Sequence, residues 1–173
     1  MNDELVKLAR VGLLLALAVV IHSAEAMLPV TVLWFRFGFA NIMGLTTLYL
    51  FGFKYAVIVT LGRVFLGSLV TGLFGSPAFL LSLSGGLAAI AVMGLAKTIS
   101  RERFSEIGVS ILGAVTHNAA QLLVAYVILI RNEAILYLLP LMLAAALITG
   151  FINGLAARFL IAHFREADTR LHI

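Results

Sequence analysis

The chain has 173 residues, of which 62% are hydrophobic and only 12% charged, with a mean hydropathy of +1.12. Soluble domains carry about 25% charged residues and disordered chains are poor in apolar ones, so this composition excludes both. A helical crossing of the ~30 Å hydrocarbon layer needs about 20 residues, which leaves room for at most about six or seven crossings and almost no separate soluble domain. The formal charge of +4 and pI near 9.9 mark cytoplasmic loops in a membrane protein, so no nucleic-acid partner is expected. With no cysteine, disulfides, thiolate catalysis and iron–sulfur ligation are excluded.

Apolar runs and their interruptions predict a single all-α domain, residues 1–173, of six transmembrane helices. Span 1 covers about 8–28 and stops at Pro29. Span 2 covers 37–51, short for a crossing, so that it either tilts little or dips partly through as a loop, and Gly52 opens a tight turn to Lys54. Span 3 covers 55–74, closed by Gly75-Ser76-Pro77, and span 4 covers 78–99. The polar connector Ser100-Arg101-Glu102-Arg103 leads to span 5 (107–130) and span 6 (135–164), with Pro140 early in the last.

Orientation follows from basic residues near the span ends. With the N-terminus cytoplasmic, one side holds Lys7, Arg10, Lys54, Lys97, Arg101, Arg103, Arg158, Arg165 and Arg170, against Arg36 and Arg131 on the other. Both termini are therefore expected in the cytoplasm of a multi-pass protein of the cell membrane. A rival reading takes Lys7 to Ala26 as a signal peptide with a Ala24-Glu25-Ala26 cleavage site. Asp3 and Glu4 weaken its basic start, and the later spans need no leader.

Helices in lipid associate where small residues let backbones approach. Span 1 carries Ala9, Gly12 and Ala16, span 4 Gly85-Gly86 with Ala89 and Met93, and span 6 Ala146, Gly150 and Gly154. Each stripe is explained by packing inside the protein or by docking of another membrane subunit. Span 1 suits docking best, because its stripe runs to the cytoplasmic end.

Polar residues within spans are costly and point into the bundle or toward a cavity. They are His22 and Glu25 in span 1, Asn41 in span 2, Arg63 in span 3, His117, Asn118 and Gln121 in span 5, and Asn153 in span 6. At 1.5 Å per residue Arg63 lies roughly 13 Å in, near the midplane, with His117 at similar depth. His22, Glu25, Asn41 and Gln121 fall in the outer half and Arg36 at the outer rim. His22 and Glu25 share one helical face and His117 and Gln121 another, so these residues can line an outward-opening substrate pocket. Arg63 can instead be a structural arginine satisfied by carbonyls and by His117 or Asn118. Glu25 suits Arg36 better than Arg63 by depth, and Asn153 suits interhelical glue.

Two isolated histidines without a carboxylate cluster do not make a metal or haem site, and no cofactor is expected. There is no Gly-rich loop with Lys to hold ATP. The two aspartates, Asp3 and Asp168, are both terminal, so no carboxylate pair is placed to hold Mg²⁺ on a diphosphate. No catalytic centre is expected.

The runs Phe37-Gly38-Phe39-Ala40-Asn41-Ile42, Leu48-Tyr49-Leu50-Phe51-Gly52-Phe53 and Arg63-Val64-Phe65-Leu66-Gly67 resemble the Gx transporter family. So do Ser76-Pro77-Ala78-Phe79-Leu80-Leu81-Ser82 with Gly85-Gly86, and Gly113-Ala114-Val115-Thr116-His117-Asn118 with Gln121. Many members of that family carry the label heptaprenyl diphosphate synthase component I. The family is similar to the S components of energy-coupling factor (ECF) transporters. That likeness implies a six-helix subunit that captures a vitamin-like micronutrient at the outer face, then docks a transmembrane T subunit and two ATPases. It also implies docking of span 1 through an A-x-x-x-A-like motif, for which Gly12-x-x-x-Ala16 is a small-residue equivalent. Prenyl synthases resemble one another in Asp-rich motifs that this chain lacks. The alternative is a non-catalytic membrane partner in prenyl or quinone metabolism or in a flavin-linked redox assembly.

Overall fold

The computed structural model describes residues 3–27, 38–100 and 104–171, which form helices joined by short turns. The helices are α1 (Asp3–Met27), α2 (Asn41–Phe51), α3 (Phe53–Val70), α4 (Pro77–Ser100), α5 (Glu106–Val124) and α6 (Leu139–Leu171). A π-helical segment, Ala125–Ile130, extends α5, and a 3-10 segment, Glu133–Leu138, leads into α6. Arg131, at φ 48°, makes the sharp break between those two segments.

Five stretches are long and apolar enough to cross a bilayer, and α2 is not among them. Its 11 residues reach about 16 Å, half of the hydrocarbon layer. The expected second span, 37–51, is thus corrected to a half-length helix. The run from Phe39 is mostly apolar, but Gly38 takes φ +70°, a conformation a helix cannot contain. Its carbonyl accepts from Asn41 N (2.9 Å) and that of Phe39 from Ile42 N (3.0 Å), so a tight turn precedes the helix. Every residue from Asn41 to Leu48 is buried. A helix enclosed on all sides is a core element. The short α2 is the central rod of the bundle.

The other ends follow capping chemistry. Gly72, at φ +69°, closes α3: Leu73 N donates to Ser68 O (2.8 Å) and Gly72 N to Leu69 O (3.2 Å), the Schellman pattern. Span 3 therefore ends at Val70 and not at Phe74. Ser76 Oγ accepts from Phe79 N (3.3 Å) at the start of α4, with Pro77 in the first helical position. Ser105 does the same for α5, accepting from Gly108 N.

Glycines fix the packing directions. A Cβ at Gly62 would meet Leu15 and one at Gly67 would meet His22, while the Lys7 ammonium lies over the Tyr55 ring at 4.6 Å. Helices α1 and α3 therefore run parallel. Gly86 faces Thr60 and Arg63 while Gly94 faces Phe53, so α4 runs against α3. Gly85 faces His117 and Gly113 faces Met93, so α5 runs against α4. A Cβ at Gly150 would sit 2.8 Å from Ile111 Cα, and one at Gly154 2.6 Å from Ile107 Cα, so α6 lies backbone-to-backbone along α5. These directions gather the starts of α1, α3 and α5 and the ends of α2, α4 and α6 at one end, which also carries Lys7, Arg10, Lys54 and Lys97. There Lys97 Nζ donates to Leu48 O (2.7 Å) and lies over the Tyr49 ring at 4.8 Å. Arg101 and Arg103 lie outside the described residues.

The three small-residue stripes have different fates. Those of α4 and α6 are internal seams, with Gly85, Gly86, Ala146, Gly150 and Gly154 all buried. On α1 the buried face is Val11, Leu14 and Ala18. Ala9, Gly12 and Ala16 lie on the exposed side, and a Cβ added at Gly12 would meet nothing within 4 Å.

Candidate functional site

Several polar residues of the spans converge inside the bundle on the turn that leads into α2. Glu25, near the end of α1, accepts a hydrogen bond from Phe39 N through Oε1 (2.7 Å). Arg63, 2% exposed on α3, donates from Nη2 to Asn41 Oδ1 (2.5 Å). Asn153 on α6 donates from Nδ2 to Gly38 O (3.1 Å). Side chains from α1, α3 and α6 are thus tied to four consecutive residues, Gly38 to Asn41. A Cβ at Gly38 would lie 3.0 Å from Asn41 Nδ2. Glycine is needed there for both its φ and its lack of bulk.

The electrostatics of α2 follow from its position. A helix carries partial positive charge at its N-terminus and partial negative charge at its C-terminus, and away from water both need partners. Here the Glu25 carboxylate sits at the first end and the Lys97 ammonium at the second.

A second polar group lies between α4 and α5. Gln121 Nε2 and His117 Nε2 are 3.0 Å apart, as their four-residue spacing predicts. Both rings of contact close on Gly85, where a Cβ would sit 2.8 Å from His117 Cε1 and 2.9 Å from Gln121 Cγ. The next residue, Gly86, faces Arg63 Nη2 at 3.6 Å on the other side of α4. The glycine pair is a spacer that admits a bulky polar group on each flank.

Seven of the eight candidate substrate residues are buried: His22, Glu25, Asn41, Arg63, His117, Asn118 and Gln121. Arg36 lies outside the described residues, and with it the expected Glu25–Arg36 pairing. Glu25, Asn41 and Arg63 come together around the turn, and His117 joins Gln121. A hydrogen bond of Arg63 goes to Asn41, and Asn118 Nδ2 donates to Met142 O on α6 (2.9 Å). Adjacent helix positions point about 100° apart, so 117 and 118 face different neighbours. Asn41, the first residue of α2, meets Arg63 of α3 through that hydrogen bond. His22 packs its ring on Gly67 of α3 and Glu25 reaches the turn, so the two divide the work of one helical face. Asn153, expected as interhelical glue, is such a link, and its partner is the carbonyl of Gly38.

Among the described residues no three His, Cys, Asp or Glu side chains gather into a metal-holding group. Five crossing-length helices around buried polar residues define an α-helical membrane protein. The chain belongs to the family described as heptaprenyl diphosphate synthase component I, which it matches over residues 14–160. Neither the curated proteins nor the solved structures contain a match to it.

Proposed function

We propose that the chain is the substrate-capturing membrane subunit of an ECF-type importer for a vitamin-like or other small micronutrient. It works docked to a transmembrane T subunit and two cytoplasmic ATPases. The observation that carries this reading is the start of α2. A helix that begins inside the bundle, on a glycine turn held by Glu25, Arg63 and Asn153, is how membrane carriers place polar backbone and side chains where a substrate can meet them. A merely structural bundle has no need of this costly layer. Two further features support it. The basic end suits the cytoplasmic side, with both termini there. The outward Ala9, Gly12 and Ala16 lane leaves a backbone open to a partner helix.

The test is native mass spectrometry of the protein purified from its own membranes. A small molecule is retained by the wild type and lost from Arg63→Met and Asn41→Leu. A wild type that carries none, from cells growing on rich medium, contradicts the reading.

The family description favours a second reading: a non-catalytic membrane partner of a prenyl diphosphate synthase, or of a quinone or flavin-linked redox assembly. Co-purification with a synthase or redox protein, without a T subunit or ATPases, supports that alternative.

A further inference from the structure

Asn153 does more than join two helices. Its side chain is 2% exposed near the middle of α6, and its Nδ2 is used by Gly38 O. That carbonyl fixes which way the amide points, because turning Oδ1 toward it would set two acceptors face to face. Oδ1 is therefore turned away from Gly38, beside the same turn. It is buried and has no hydrogen-bond partner among the described residues. Gluing α6 to α2 explains the amino group and leaves the oxygen unexplained. Buried polar atoms in native proteins are satisfied by protein, water or ligand.

The surrounding charge narrows what can satisfy it. Around Gly38–Asn41 the described charged groups are the Glu25 carboxylate and the Arg63 guanidinium, one of each sign. A charged group brought into this low-dielectric layer would lose its hydration, a cost that a neutral donor does not carry. We infer that the Gly38–Asn41 turn is the floor of a ligand subsite in which Asn153 Oδ1 accepts a hydrogen bond from an uncharged N–H or O–H donor of the captured molecule. This rests on the substrate-capture reading and adds the class of group recognised.

The test uses the full chain in lipid nanodiscs and three probes of matched size: benzamide, benzoate and benzylamine. Thermal unfolding should show benzamide raising the midpoint by about 3 °C at roughly ten times its Kd, with neither charged probe doing so. Asn153→Leu, close in volume, keeps a cooperative transition and loses the benzamide shift. Should Asn153→Leu aggregate, Asn153→Ser, which retains a donor toward Gly38, carries the same expectation. A benzoate or benzylamine shift equal to that of benzamide overturns the subsite assignment and leaves substrate capture standing. So does a benzamide shift that survives either substitution. No shift with any probe means that a fixed water satisfies Oδ1, and this too overturns the assignment. Substrate capture itself is then judged separately, by the retained molecule and the partner complex.

Discussion

The contrast between Gly154 and Gly12 gives the sharpest structural prediction, because both belong to small-residue stripes that look alike in sequence. A methyl at position 154 would stand 2.6 Å from Ile107 Cα and 3.1 Å from Ser110 Cβ. The first neighbour is backbone of α5, which cannot rotate away as a side chain can. Gly154→Ala must therefore push α6 off α5, and overpacking of this kind costs about 1–3 kcal/mol. For a chain of this size that is a fall in midpoint of roughly 2–12 °C, at about 2–4 °C per kcal/mol. At Gly12 the same methyl meets nothing within 4 Å, and replacing a helical glycine removes a conformational cost of up to about 1 kcal/mol. Gly12→Ala should leave the isolated protein unchanged or slightly more stable. The assay is thermal unfolding of both variants in one detergent, followed by circular dichroism and by size-exclusion recovery. Equal destabilisation by the two substitutions would refute the distinction between an internal seam and an outward face.

Three further expectations concern the polar layer and α2. Glu25→Gln keeps an oxygen for Phe39 N but loses the charge of a 2.7 Å bond. It should cost about 1–2 kcal/mol in unfolding. In a double-mutant cycle, Arg63→Met and Asn41→Leu should couple by about 0.5–3 kcal/mol, since their side chains share one buried hydrogen bond. Strict additivity would deny that contact. Lys97→Met removes both the bond to Leu48 O and the contact with the Tyr49 ring. Hydrogen exchange should then rise at the C-terminal turn of α2 before it rises in α4, and uniform protection would count against the capping role.

Much of this architecture was legible in the sequence, and the parts that were not have identifiable causes. Of the six crossings read from the apolar runs, five are helices of crossing length, because a helix in lipid must be continuous and apolar. The shortness of span 2 was visible but its start at Asn41 was not: Phe39-Ala40 is as apolar as the helix that follows, and hydropathy does not register the positive φ of Gly38. The one cue was an asparagine three residues after a glycine inside an apolar run. Spacing within a helix correctly paired His117 with Gln121, since that geometry is local. It could not say which helix Arg63 or Asn118 faces, because the order of neighbours in a bundle is set by packing. The glycine pair of α4 was readable as a contact, but its role as a spacer between Arg63 and His117 depends on both flanking helices. The outward turn of Ala9, Gly12 and Ala16 was likewise undetermined until α3 and α2 were seen to cover the opposite face.

The most direct test of the central claim is affinity purification of the tagged chain from its native membranes, wild type beside Ala16→Trp. The account predicts that the wild type brings down a multi-pass T subunit with two ATPases. The indole at position 16 should abolish that complex by holding the partner helix off, while the retained small molecule and the melting temperature stay as in wild type. An Ala16→Trp protein that still assembles, or a wild type that co-purifies with a prenyl synthase and no ATPase, would contradict it.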